Sequence, residues 1–177
     1  ASPVNESVFK GIPSEQISAT LVQYPWDIVE QTSAQIEQDT RLLARNIPRN
    51  RRACIVYPGS HLLGTKNIVL GKGTVIKPGV VLDAERGPIV LGMNVTVMPN
   101  AVIEGPAYVG DCSVIKVGAR IYPGTSIGPH CKVGGEVSAS VIQSYSNKQH
   151  DGYLGHSYLG SWVNLGADTN TSDLKNT

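Results

Sequence analysis

The chain has 177 residues, 41% of them hydrophobic but only 6% aromatic, with a single Phe. That length suits one domain with an appendage, and the core must be made of small and aliphatic side chains. A formal charge of +1 excludes a basic stripe for nucleic acid and a polybasic membrane tag, and no apolar run reaches the roughly 18 residues of a membrane span.

Residues 1–24 show no clear period. A helix is predicted next, over about 27–44, with Asp27 as N-cap and Glu30 closing a capping box. Val29, Ile36 and Leu43 fall near one face of it, a narrow apolar stripe suited to docking on another surface. It ends before Pro48, which disfavours helix at the residue preceding it. The short basic run Arg49-Asn50-Arg51-Arg52 is solvated surface. The expected division is therefore 1–50, an N-terminal segment with a linker helix, and 51–177, a second unit of different character.

That second unit repeats every six residues. From Leu91 the rows are LGMNVT, VMPNAV, IEGPAY, VGDCSV, IKVGAR, IYPGTS, IGPHCK and VGGEVS. Their first positions, Leu91 to Val133, are all aliphatic. Their fifth positions, Val95 to Val137, hold nothing bulkier than Val. Earlier rows begin at Leu70, Ile76 and Leu82, a three-residue insertion falls near Arg86-Gly87-Pro88, and later rows begin at Leu159 and Leu165. An amphipathic helix needs a period of 3.6 and a lone strand a period of two. A strict six fits a short strand and a tight corner, coiled into a solenoid in which each coil buries its face only against the next. Gly, Pro, Asn and Asp fill the bends. The frame is lost over residues 139–153 and then returns.

Three cysteines, Cys54, Cys112 and Cys131, give an odd count with no CxxC pair, so neither a disulfide framework nor a zinc site is suggested. A reducing cytoplasm is the expected compartment. Cys131 falls at a core position and Cys112 at a corner. His130 and His156 lie in different rows without an HxxxH partner and are predicted corner residues, with no metal. The first residue is Ala1 rather than Met, which points to a processed or excised piece.

In the frame-broken stretch stands Ser146-Asn147-Lys148-Gln149-His150-Asp151-Gly152-Tyr153-Leu154-Gly155, followed by Leu159-Gly160-Ser161-Trp162-Val163-Asn164-Leu165-Gly166-Ala167. Together these resemble the acetyltransferase half of the bifunctional N-acetylglucosamine-1-phosphate uridylyltransferase/glucosamine-1-phosphate acetyltransferases. They resemble still more a bacterial subgroup of related bifunctional sugar nucleotidyltransferases, in which a YPWD helix joins the halves, as Tyr24-Pro25-Trp26-Asp27 would here. The resemblance covers most of residues 24–177. It implies an all-β, left-handed parallel β-helix of hexapeptide repeats, assembled as a homotrimer with active sites at subunit contacts. The nucleotidyltransferase signature of the family, a Gly-rich G-T-R loop ending in P-K, is absent, so the chain is expected to be the C-terminal half of a parent that also carries a nucleotidyltransferase domain.

The resemblance also implies roles. N-acetylation needs an unprotonated sugar amine and a base to take its proton as it attacks the thioester of acetyl-CoA, and histidine suits that near neutral pH. His150 matches the catalytic base; without its flanking motif it would be an ordinary surface-loop histidine. Tyr153 matches a tyrosine that contacts the acceptor sugar, Asn164 a sugar-binding asparagine, and Ala167 a position whose backbone meets the acetyl donor. Asp173 stands where the family has a sugar-contacting asparagine; a carboxylate there attracts an amine and repels a phosphate. Two family cations that hold the phosphate are replaced, by Tyr122 before Pro123-Gly124 and by Ser138 after Glu136. Arg120, Lys132 and Lys148 are the candidate substitutes, because several arrangements of fixed positive charge hold a phosphate. The family continues for further coils that contain much of the coenzyme A contact, so either the chain is a cut piece or its donor site is incomplete.

The expected function is therefore an acetyl-CoA-dependent N-acetyltransferase acting on an amino-sugar 1-phosphate of the glucosamine 1-phosphate kind. The alternative is a non-catalytic trimerising or regulatory β-helix attached to a sugar-1-phosphate nucleotidyltransferase making a UDP-, dTDP- or ADP-sugar. The His150, Tyr153, Asn164 set favours the enzyme; Tyr122, Ser138 and the early stop favour the scaffold.

Overall fold

The computed structural model describes residues 9–13, 15–46 and 53–171. The expected division at residue 50, the run Arg49 to Arg52, the side chain of Leu43 and Asp173 lie outside the described residues.

The helix spans Pro25–Asn46, two residues more at each end than predicted. Its start corrects the capping assignment. Pro25 takes the first helical position, where its fixed φ fits and its missing N–H is not needed. Asp27 is consequently inside the first turn, and its Oδ2 reaches back to accept the backbone N–H groups of Gln23 (2.8 Å) and Tyr24 (3.0 Å). It is the reciprocal half of a capping interaction rather than the N-cap.

Residues 55–159 form the left-handed parallel β-helix expected from the hexads. Three parallel six-stranded sheets make the sides of a prism. The first stacks Ile55–Val56, Val75–Ile76, Thr96–Val97, Val114–Ile115, Lys132–Val133 and Asn147–Lys148. The second runs from His61–Leu63 to Tyr153–Gly155, and the third from Ile68–Leu70 to Tyr158–Leu159. The period-six aliphatics point inward and stack in register: Ile76 on Val97, Ile115 and Val133 in the first sheet, and Leu82 on Ile103, Ile121, Val137 and Leu154 in the second. All of these are buried. The small residues at position five close the corners from inside; Ala101, Ala107, Ala119 and Cys131 are fully buried.

Two frame assignments change. Val137 is not a corner residue at position five. It is an inward aliphatic aligned with Ile121, because the corner Gly134-Gly135 is two residues shorter than its equivalents. The apparent break at 139–153 is also misplaced. Spacing of six is kept from Ile142 through Lys148 to Leu154, and what hides it is that Lys148 occupies an aliphatic position, stacked on Val133. The insertion near Arg86-Gly87-Pro88 is where it was expected, between the aligned Leu82 and Leu91.

The helix docks across the outer face of the third sheet. Val29, Thr32 and Ile36 are buried there, and Val90 and Val141, which would otherwise face solvent, are buried on the sheet side. Burying one stripe of the helix and one face of the sheet together stabilises both by about 25 cal/mol for each Å² of apolar surface removed from water.

Candidate functional site

The first and second sheets meet at the corner formed by residues 149–152, which carries His150 and leads from Lys148 into Tyr153. His150 is exposed on the corner. Ala167 occupies the matching corner of the next coil, in register through the Asp168 N–H donated to the Asp151 carbonyl at 3.1 Å. Both Gly166 and Ala167 are exposed and bear nothing larger than a methyl group, so an extended acyl arm can approach the backbone there. Gly152 adopts φ +116° and a Cβ on it would collide with Thr169 of the coil above. Only glycine turns the chain from His150 to Tyr153 in that space.

Tyr153 lies on the outer face of the second sheet, half-buried. Its register partner one coil below is Glu136, and below that stands Arg120. The Arg120 guanidinium donates to Glu136 Oε2 at 3.1 Å. Motif matching gives Glu136 no role beyond marking the position of a missing lysine, yet it is the carboxylate that pairs with Arg120 and separates it from Tyr153 in the column. The signal for it was the period itself, since outward positions of successive coils stack. The neighbouring outer column of the same sheet runs Asp83, Glu104, Tyr122, Ser138 and Gly155. Tyr122 and Ser138, the two positions at which the resemblance implies a replaced phosphate cation, are therefore neighbours in one column whose described residues include two carboxylates and no cation.

Asn164 is elsewhere. It bridges Asn147 in the first sheet and is exposed. Asn164 and Tyr153 thus flank the His150 corner on two different faces of the prism, and a single chain does not bring them to one surface.

Lys148 is corrected outright as a phosphate ligand. It is 2% exposed, its side chain points into the solenoid, and its Nζ donates to the carbonyls of Gly134 (2.9 Å) and His150 (3.0 Å). Burial pushes its ammonium below the usual lysine range, with Asp151 and Glu136 partly opposing that. Lys132 is exposed on the first sheet. His130 and His156 are corner residues with left-handed backbone, as Cys112 is. His130 stacks on Tyr145, and Tyr145 on Trp162, with centroids 5.0 and 4.5 Å apart. Among the described residues no group of three or more His, Cys, Asp or Glu side chains could hold a metal, and no helix is long and apolar enough to cross a membrane.

Against known proteins, the chain aligns with the bifunctional protein GlmU of Synechococcus sp. (strain CC9311). Identity is 36% over 125 residues, covering 70% of this chain and 26% of that protein. The GlmU of Acidithiobacillus ferrooxidans (strain ATCC 53993) is 37% identical over 120 residues, covering 67% and 25%. The chain is homologous to the C-terminal region of GlmU. It spans about a quarter of the length of these GlmU relatives. No family model matches it. A solved structure of a mutant GDP-perosamine N-acetyl transferase from Caulobacter crescentus, in complex with CoA and GDP-perosamine, superposes with a TM-score of 0.49 at 14% identity, covering 79% of this chain and 67% of that one.

Proposed function

We propose that this chain is the acyl-transfer half of an acetyl-CoA-dependent sugar N-acetyltransferase, with an amino-sugar 1-phosphate of the glucosamine 1-phosphate kind as acceptor. The observation that carries the reading is the His150 corner. An exposed imidazole stands between Tyr153 with its Arg120–Glu136 pair on one face and the open Gly166-Ala167 backbone one coil above. GlmU relationship supports it.

Acetyl-CoA supplies the activated acyl group. The residues of the chain do the rest. Tyr153 contacts the acceptor sugar and holds its amine towards the corner. His150 takes a proton from that nitrogen as the N–C bond forms and the C–S bond breaks, and the thiolate released is protonated to the free thiol. Ala167 presents backbone to the donor arm. Arg120 is the phosphate candidate on the same face as Tyr153, shared with Glu136, while Lys132 lies round the corner on the first sheet. Asn164 and Asp173 complete the acceptor site. Because Asn164 faces away from Tyr153, the working site takes its second wall from another copy, which fits a homotrimer. A nucleotidyltransferase domain in the full-length protein and a cytoplasmic location complete the reading.

One observation favours the non-catalytic alternative. The column holding Tyr122 and Ser138 is acidic, and the nearest guanidinium is already paired. Free-thiol release by the full-length protein with acetyl-CoA and glucosamine 1-phosphate decides between them. Turnover lost in His150→Ala supports the enzyme; no His150-dependent release with any amino-sugar acceptor leaves the trimerising module.

A further inference from the structure

The six strands of the first sheet each place an inward side chain at the same point, and in the sixth it is Lys148 rather than an aliphatic. Enclosing an ammonium whose hydrogen-bond partners are neutral carbonyls carries a desolvation cost, where an aliphatic side chain would contribute to the stack. The surroundings are shaped for it. The corner below is the short Gly134-Gly135, and Gly135 adopts φ +66°. A Cβ on Gly135 would stand 2.7 Å from Lys148 Nζ and 2.8 Å from the His150 carbonyl oxygen. Glycine leaves there the space that the ammonium fills. The tie is reciprocal, since the Gly134 N–H donates to the Lys148 carbonyl at 2.6 Å while Nζ donates to the Gly134 carbonyl. The third contact, to the His150 carbonyl, fixes the residue whose imidazole stands outside. Glu136 N–H, donated to the Gly152 carbonyl at 3.1 Å, holds the other end of the same corner.

We propose that Lys148 is a positioning residue: from inside the solenoid its ammonium clamps the short Gly134-Gly135 corner to the backbone of His150 and so sets where the imidazole stands. The catalytic part of this rests on His150 being the base. The mechanical part does not, and the two are measured separately.

Lys148→Met keeps the length of the side chain and suits the aliphatic stack. Amide hydrogen exchange is then followed across 149–153 in the full-length protein. The expected result is a folded protein whose 149–153 amides exchange at least tenfold faster, with coils away from the corner unchanged. Acetyl transfer falls about ten- to a hundredfold in kcat, since small displacements of a reacting group cost that much, with the KM for acetyl-CoA unchanged. Unchanged exchange at 149–153 in folded Lys148→Met overturns the proposal whatever the activity. A wild-type protein without His150-dependent turnover removes the base assignment but leaves the exchange result standing. Should the variant not fold, the unaltered protein still decides. Lys148 ammonium protons exchanging as fast as those of exposed lysines would rule the clamp out, and slow exchange supports it.

Discussion

The phenol of Tyr153 lies folded over Gly155, two residues on in the same strand, so closely that a Cβ on Gly155 would collide with the ring and its hydroxyl. Glycine at 155 is thus what lets Tyr153 lean along the outer face of the second sheet. Gly155→Ala is expected to push the ring off that position without disturbing the fold. In a steady-state assay the KM for the acceptor sugar should rise about tenfold, the loss of roughly 1.4 kcal/mol, while the KM for acetyl-CoA stays put. Equal changes in both constants would mean that Tyr153 does not serve the acceptor.

Thr125 sits fully buried with a hydroxyl that has no partner among the described residues. The other buried hydroxyls of this kind are satisfied, as when Thr74 donates to the Gly92 carbonyl at 2.8 Å and Ser113 to that of Gly128 at 2.9 Å. Thr125→Val removes the unsatisfied group at nearly constant shape. Chemical denaturation should show a gain of about 1 kcal/mol, and Thr74→Val should show a loss instead.

Lys148 gives a stability effect with a defined sign. Its folded pKa lies below the ordinary 10.5, so across the interval between the two values the unfolded chain binds more protons. The cost of enclosing the ammonium is fully present below the folded pKa, and stability is regained as pH rises towards 10.5. Lys148→Met abolishes this. The stability advantage of the variant over wild type, measured by urea denaturation at a series of pH values, should shrink as pH approaches 10.5. An advantage independent of pH would show that the side chain is not enclosed in its charged form.

Asp27 accepts two backbone N–H groups at the start of the docked helix. Asp27→Ala should cost about 1 kcal/mol. Because the helix lies on the third sheet, faster amide exchange is expected both in the first helical turn and in the sheet residues beneath it. An effect confined to the helix would mean that docking does not depend on its first turn.

Thiol accessibility provides a check on the coil register. Cys112 is an exposed corner residue, whereas Cys131 is fully buried and burial pushes its thiol above the usual range. A thiol reagent should modify Cys112 in the native protein and reach Cys131 only on unfolding.

The period of six by itself determined the solenoid. Each coil must place one aliphatic side chain inward per side, and no helix or isolated strand repeats at that interval. Sequence also marked the corner that bears His150, through the motif from Ser146 to Gly155, and the three-residue insertion before Leu91. It could not place side chains whose chemistry contradicts their position. A lysine in an aliphatic row breaks the pattern that patterning relies on, so Lys148 looked like a surface cation until the stack of Val133 and Lys148 showed it inside. Two missing residues at Gly134-Gly135 likewise moved Val137 from a corner to the core, because only strand register distinguishes a short corner from a full one. The faces of the site were a tertiary matter too. Residues 153 and 164 are near in sequence, but a three-sided coil turns them to different surfaces, while Arg120, Glu136 and Tyr153, far apart in sequence, are stacked by the repeat into one column.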